Sequence, residues 1–469
     1  MNDSATDGSI QSKKLPFKTK LAYGAGELGP AITANISIFF LLVFFTNVAG
    51  IPAGLAGSIL MIGKIGEAIN DPFVGFLTDK TKSRRWGRRL PWVLYGATPC
   101  GLFFFLQWIV PPLSVWSLFW YYVAIGVISQ VFYSVVHLPY AAMTPELTQD
   151  YDERTSLNSF RFTFSIGGSI LSLILSKIVF SVISDRQQQY LVLAAVCTVI
   201  SILALYGCVY GTRDRVLAFE SKRISLEELP SIPFTEQLKI VFTNRPFLFV
   251  IGIYLCTWLA VQITASIIPY FVVYCMHLQE ADVPTVMIAV QGTALLMLFF
   301  WSTLSKKVGK KVVYFLGISL WIIAAAGLYF LQPGQLNLLY LMAVMAGFGV
   351  STAYLIPWSM IPDVIELDEL QTGQRREGIF YGFMVLLQKF GLAFGLFLVG
   401  NALQAYGFKE AVAGQNELPT QPDLALLAIR LAISPLPIIC LIAGLVLTYF
   451  YPITREMHAE IMLKLKQRQ

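Results

Sequence analysis

The feature that most constrains this chain is a succession of apolar stretches, each close to the roughly 20 residues that a helix needs to cross the hydrocarbon of a bilayer. Six lie near 25–48, 52–78, 90–111, 114–140, 156–182 and 189–211. After a polar interval, six more lie near 246–275, 283–304, 311–332, 336–361, 378–405 and 424–450. Within hydrocarbon each backbone N–H and C=O must find its partner inside the protein, and a helix supplies these partners within its own segment. The pattern predicts an all-α integral membrane protein of twelve transmembrane helices in two six-helix halves. Residues 1–211 then hold an N-terminal tail and the first half, 212–245 a central loop, 246–450 the second half, and 451–469 a tail. One large water-soluble core is excluded, because 56% of residues are hydrophobic and only 13% charged.

The residues between the stretches set the orientation. Lys80, Lys82, Arg84, Arg85, Arg88 and Arg89 follow the second stretch, Lys306, Lys307, Lys310 and Lys311 follow the eighth, and Arg375 and Arg376 precede the eleventh. All fall on one side, whereas Pro111-Pro112 and Pro333-Gly334 on the other side have no positive charge nearby. Cytoplasmic loops carry the excess of Lys and Arg, so both termini and the central loop are expected in the cytoplasm, with the chain in the plasma (inner) membrane. The first twenty residues are polar, with Lys13, Lys14, Lys18 and Lys20, and read as a cytosolic tail rather than a cleavable signal. The formal charge of +6 resides in the same short clusters, so no nucleic-acid partner is expected. Six cysteines show neither zinc-ligand nor disulfide-framework spacing.

The halves repeat. Arg84-Arg85-Trp86-Gly87-Arg88-Arg89 precedes an apolar stretch in the first, and Lys306-Lys307-Val308-Gly309-Lys310-Lys311 does so in the second. Pro139-Tyr140 followed by Pro145-Glu146 recurs, at nearly the same offset, as Pro357-Trp358 followed by Pro362-Asp363. Parallel repetition of two six-helix halves is the layout of carriers that rock about a central site.

The second stretch contains Lys64, Glu67 and Asp71, where an ionised group costs roughly 2.5–3.5 kcal/mol at the membrane centre. At 100° per residue the three share one stripe with Gly75 and Thr78, so they are expected to face the interior. Two acids four residues apart repel, and a sodium ion or proton between them would relieve both repulsion and desolvation. A permanent Lys64–Glu67 ion pair that only ties helices together is the alternative use of these residues. His137, three residues after Ser134, is a candidate to complete the cation site. The fifth stretch carries Asn158, Arg161, Ser165, Gly168 and Ser172 at helical spacing, and the eleventh carries Gln388-Lys389. Isolated cations in opposite halves suit an anionic or hydroxyl-rich solute, or serve as counter-charges for Glu67 and Asp71 during part of a cycle. Asn35, Gln130, Gln262, Gln291 and Asn401 either line a cavity or stitch helices together. Gly57 to Lys64 fails as a phosphate loop, and neither a His-Glu-x-x-His run nor a Gly-x-Ser-x-Gly elbow occurs, so no enzymatic activity is expected.

Four segments together resemble the glycoside–pentoside–hexuronide:cation symporters, the melibiose permease group of the major facilitator superfamily: Lys20-Leu21-Ala22-Tyr23-Gly24, Glu67-Ala68-Ile69-Asn70-Asp71-Pro72, Gly87-Arg88-Arg89-Leu90-Pro91-Trp92 and Thr372-Gly373-Gln374-Arg375-Arg376-Glu377-Gly378. The resemblance implies a major facilitator fold and alternating-access symport of a sugar or glycoside-like solute with sodium, lithium or protons. No cofactor beyond the coupling ion is expected, and the expected partners are the solute and membrane lipid around a monomer. It implies that Glu67 and Asp71 match two cation-binding acids, Ser134 a hydroxyl ligand, and Arg161 and Lys389 basic residues of the cavity. The sugar clamp departs from the pattern: Ala31 stands for an aspartate, Pro30 for a lysine, Ala141 for a tryptophan, and His137 for a second aspartate. The segment from His137 to Met143 is similar to that of the vertebrate sodium-dependent lysophosphatidylcholine symporters, where the matching arginine and lysine serve a phosphate headgroup. A lysophospholipid is therefore the alternative solute, and a membrane receptor or assembly factor without transport is the alternative class.

Overall fold

The computed structural model describes residues 15–81, 83, 85–148, 151–220, 234–373, 376–412 and 417–468. Lys13, Lys14, Lys82, Arg84, Gln374 and Arg375 fall outside the described residues. Among the described residues, ten helices are long and apolar enough to cross a membrane. Two more complete the twelve: Ala53–Lys80, of 28 residues, and the apolar Leu90–Leu106, of 17. The first is diluted by Lys64, Glu67, Asn70 and Asp71, the residues that matter most below.

In chain order the spans are α1 (Phe17–Asn47), α2 (Ala53–Lys80), α3 (Leu90–Leu106), α4 (Val115–Ala141), α5 (Tyr151–Val182) and α6 (Arg186–Glu220). The second half follows as α7 (Arg245–Cys275), α8 (Val283–Val308), α9 (Lys310–Phe330), α10 (Leu336–Thr372), α11 (Glu377–Ala405) and α12 (Asp423–Phe450). Short helices Thr144–Leu147, Phe234–Thr243 and Arg455–Arg468 lie at the end that bears the basic loops. Several helices outrun their apolar stretches: α1 begins at Phe17 and α5 at Tyr151, ahead of the stretches near 25–48 and 156–182. Helix α6 continues to Glu220, and α10 passes 361 to reach Thr372, because Val364, Ile365 and Leu367 keep an apolar face buried there.

Helix α1 is broken at Gly26-Glu27. Pro30 has no N–H to donate back to Gly26, and the chain tightens instead, with Gly26 N–H donating to the Tyr23 carbonyl at 3.1 Å and Glu27 N–H to Gly24 at 3.0 Å. A Cβ at Gly26 would stand 2.5 Å from the Tyr140 ring and 2.8 Å from Cys208 Sγ, so only glycine lets α1 approach α4 and α6 this closely.

The halves meet chiefly along α2 with α11, then α5 with α8 and α1 with α7. Gly57 of α2 and Gly400 of α11 put their backbones together: a Cβ at 400 would be 2.4 Å from the Ala53 carbonyl and 2.9 Å from Gly57 Cα. Further ties join the halves at this end, away from the basic loops. Gly54 N–H donates to Gln404 at 2.8 Å and Ala53 N–H to Glu410 at 3.0 Å, the Thr46 and Tyr270 hydroxyls are 2.7 Å apart, and Arg186 pairs with Glu280 at 2.9 Å. This end of the molecule is sealed.

The two sequence recurrences turn out to bind each other. Arg88 and Arg89 pair with Glu146 at 3.0 and 3.2 Å, and Lys310 pairs with Asp363 at 2.7 Å. Gly87 and Gly309 have φ of 72° and 90°, so each loop turns at a residue that must be glycine. Arg85 is exposed, and Arg376 grips Asp368 in a two-point contact at 2.6 and 2.9 Å.

Candidate functional site

Between the halves, on the basic-loop side of the seal, lies a cavity of about 660 Å³. Its first-half wall carries most of the charged groups, with Glu27 and Asn35 from α1, Lys64, Glu67 and Asp71 from α2, Tyr133 and His137 from α4, and Arg161 and Ser165 from α5, set among Pro30, Ile38, Leu138 and Ile166. Its second-half wall is largely apolar, built from Trp258, Ala294, Leu295, Leu298, Val385 and Leu392, with Gln291, Gln388, Lys389 and Tyr354 as its polar members. Ala31 and Ala141 also face the space.

Helical spacing brings Lys64, Glu67 and Asp71 onto the cavity wall together. Lys64 Nζ donates to Glu67 at 2.8 Å and to Gln130 at 3.2 Å. Lys389 crosses from α11 and inserts its ammonium between the acids, 2.7 Å from Glu67 and in direct contact with the Asp71 carboxylate. Ser134 Oγ donates to the other Asp71 oxygen at 2.5 Å. Two acids thus face two lysines and the cluster is electrically balanced. The Glu67 side chain is only 4% exposed, so an unbalanced charge there has little water to turn to. The sequence leads to a mobile cation between these acids, or to a basic residue of another span as their counter-charge during part of a cycle; in this conformation the Lys389 ammonium occupies that position. Periodicity along α2 cannot reveal a partner that arrives 318 residues later.

A second ionic cluster stands across the first-half wall. Glu27 lies 3.3 Å from Arg161 and 3.4 Å from His137, whose ring stacks on Tyr133 at 5.2 Å. His137 therefore faces Glu27 and does not join Ser134 at Asp71. Residues three apart on a helix differ by about 60° in direction, enough to send the two side chains to different neighbours. Glu27 is a functional candidate that the sequence reading passes over; its signal is a lone acid at the start of the first apolar stretch. Asn35 donates to Ser172 Oγ at 2.7 Å and accepts from Gln291 across the halves at 3.3 Å, while Gln388 stands on the wall beside Lys389. Asn158 is a correction: it sits about one turn from Arg161 toward the basic-loop end, is half-buried, and is not part of the wall. Gln262 is buried and Asn401 is exposed, and neither lines the cavity.

Beyond Lys64, largely among α1 to α4, the space narrows into a recess of about 70 Å³ where Ile38, Leu41, Phe45, Leu60, Phe104 and Leu396 mix with Ser37, Gln107, Ser129 and Gln130. The whole arrangement can hold a charged or polar group between the ionic clusters and an apolar one against the opposite wall.

Comparison with known proteins agrees with this geometry. An uncharacterized symporter of Synechocystis sp. is 51% identical, with 98% of each chain covered. The sodium-dependent lysophosphatidylcholine symporter 1 of Xenopus tropicalis is 29% identical over 97% of this chain and 90% of its own. A crystal structure of a nucleoside transporter shares the fold at a TM-score of 0.62 and 14% identity, covering 96% of this chain and all of that one. The sequence profile described as MFS/sugar transport protein matches residues 22–455. That match spans both halves and the cavity between them, and the protein belongs to this family of major facilitator membrane transporters.

Proposed function

We infer that the protein is a cation-coupled symporter that works by alternating access, with Glu67 and Asp71 as the coupling site. The observation that carries this reading is the Lys389 ammonium shared between those two acids across the halves. In the empty carrier Lys389 balances the acids and ties α11 to α2. A sodium ion or proton entering beside Asp71, with the Ser134 hydroxyl turned to receive it, supplies the same charge and releases Lys389 into the cavity. The freed ammonium, with Gln388 beside it and Arg161 opposite, then receives an anionic group of the solute. Cation and solute favour each other because each removes a competitor of the other, and coupling of this kind typically amounts to 1–3 kcal/mol. The seal at the loop-poor end, with the cavity toward the basic loops, corresponds to the inward-facing state when the basic loops are cytoplasmic.

For the solute, the geometry favours an amphiphile with an anionic head, such as a lysophospholipid. The charged groups gather on one wall while Leu295, Leu298, Val385 and Leu392 offer the other to an apolar chain. A sugar or glycoside is the second reading. It draws support from the family description and from Asn35, Ser165, Gln291 and Gln388, neutral groups suited to hydroxyls, with Trp258 and Tyr354 available for stacking. Thermal stability of the purified protein in sodium, lithium or at varied pH, with lysophospholipids and a glycoside panel added in turn, tests both readings. Cation-dependent stabilisation by lysophospholipids alone supports the first; stabilisation by a glycoside alone replaces it with the second. Solute-induced stabilisation without any cation dependence overturns the coupling assignment.

A further inference from the structure

The recurrent basic loop is used differently in the two halves. In the first, Arg88 and Arg89 both reach Glu146. In the second, Lys310 is taken up by Asp363 and the Ser359 carbonyl, and Lys311 has only a long 3.5 Å donation to the Tyr449 carbonyl and no acid partner among the described residues. Lys306 and Lys311 stand instead with Arg455 around a hollow of about 350 Å³ between the α8–α9 loop and helix Arg455–Arg468. Membrane orientation requires charge on this face but no shaped hollow. The acids on its wall are Asp363, which Lys310 neutralises, and Glu456, so three cations face one unmatched acid. Arg455 is held in place by donating to the Lys307 carbonyl at 2.6 Å, and Lys311 lies 5.7 Å from the Tyr451 ring centre. His458, also on the wall, is drawn to Glu366 at 2.7 Å.

A separate observation points to a ligand. Tyr451 lines the same hollow, is 2% exposed, and its hydroxyl has no hydrogen-bond partner among the described residues. A buried donor left over beside cations whose charge is not matched by acids suits an anion with several acceptor oxygens. The position says where that anion comes from. Val308 and Val312 on the rim are 43% and 46% exposed, and Tyr449 and Phe450 end α12 nearby with their rings outward, as side chains do at the level of lipid headgroups. We propose that this hollow binds the headgroup phosphate of an anionic phospholipid from the adjoining leaflet. The site is separate from the central cavity and does not depend on the transported solute.

The test uses the full chain in nanodiscs of phosphatidylcholine, titrated with phosphatidylglycerol, with melting temperature as the readout. Phosphatidylglycerol stabilises the native protein, and Lys306→Gln with Lys311→Gln raises the half-saturating fraction about 30-fold, the effect of two lysines near an anionic lipid surface. Tyr451→Phe, which keeps the ring, raises it about fivefold. An unchanged melting temperature in pure phosphatidylcholine certifies that these variants fold. The proposal is overturned if phosphatidylglycerol gives no stabilisation, or if Lys18→Gln with Lys239→Gln, two exposed cations elsewhere on this face, weakens it equally. It is overturned as well if inorganic phosphate alone reproduces the shift, since the hollow would then serve a free anion.

Discussion

Replacing Lys389 by methionine isolates the electrostatic step on which coupling depends. The substitution keeps an unbranched side chain one atom shorter and removes one positive charge from a cluster in which Lys64 and Lys389 balance Glu67 and Asp71. The empty variant then carries an uncompensated negative charge at the cavity wall, worth roughly 2.5–3.5 kcal/mol if it were fully desolvated at mid-membrane. Asp71 is 18% exposed and Lys389 17%, so water reaches this side of the cluster, and about half of that energy is the reasonable share. A cation entering the variant recovers this energy and no longer has to displace an ammonium, so its affinity should rise roughly tenfold. Titration of melting temperature against sodium, lithium and pH, in the absence of solute, measures the shift directly. Lys389→Arg retains the charge and should leave the cation affinity within about threefold of the native value. Should the methionine variant bind all three cations with unchanged or weaker affinity, Lys389 does not compete for the coupling site and the exchange mechanism fails.

Asp71→Asn removes one of the two acids, and uptake into vesicles should lose its response to the cation gradient, with a coupling loss of roughly 5- to 150-fold; gradient-driven accumulation at native levels would contradict the assignment. Gly400→Leu puts a side chain where even a Cβ comes within 2.4 Å of the Ala53 carbonyl, so the loop-poor end can no longer seal. Cys275, 4% exposed near that end, should then react with a membrane-impermeant thiol reagent in a background without the other cysteines, and unchanged protection would refute the assigned role of the Gly57–Gly400 contact. Arg186→Glu should open the same end about tenfold more often by breaking the pair with Glu280, and adding Glu280→Arg should restore Cys275 protection. Failure of the exchanged pair to restore it would show that Arg186 acts through other neighbours.

Much of this protein was legible along the chain. Lengths of apolar stretches predict the spans because hydrocarbon thickness sets them, and the basic loops mark one face because that face stays in contact with water and anionic headgroups. The stripe of Lys64, Glu67 and Asp71 follows from the helical period alone, which decides which neighbours on one helix share a direction. Arg161, Lys389, Asn35 and Gln388 stand out as polar residues in apolar stretches, and the structure sets all four on the cavity wall.

The partners of those residues were decided only in three dimensions. That Lys389 sits between Glu67 and Asp71, that Glu27 holds Arg161 and His137, and that Gly57 meets Gly400 all depend on how helices far apart in sequence pack. So does the pairing of the basic loops with Glu146 and Asp363, although both halves of each pair are visible as repeats. Periodicity is a property of one helix and is written locally, whereas the identity of a charge's partner is a property of the interface between helices. In a carrier that interface is remade with every change of conformation.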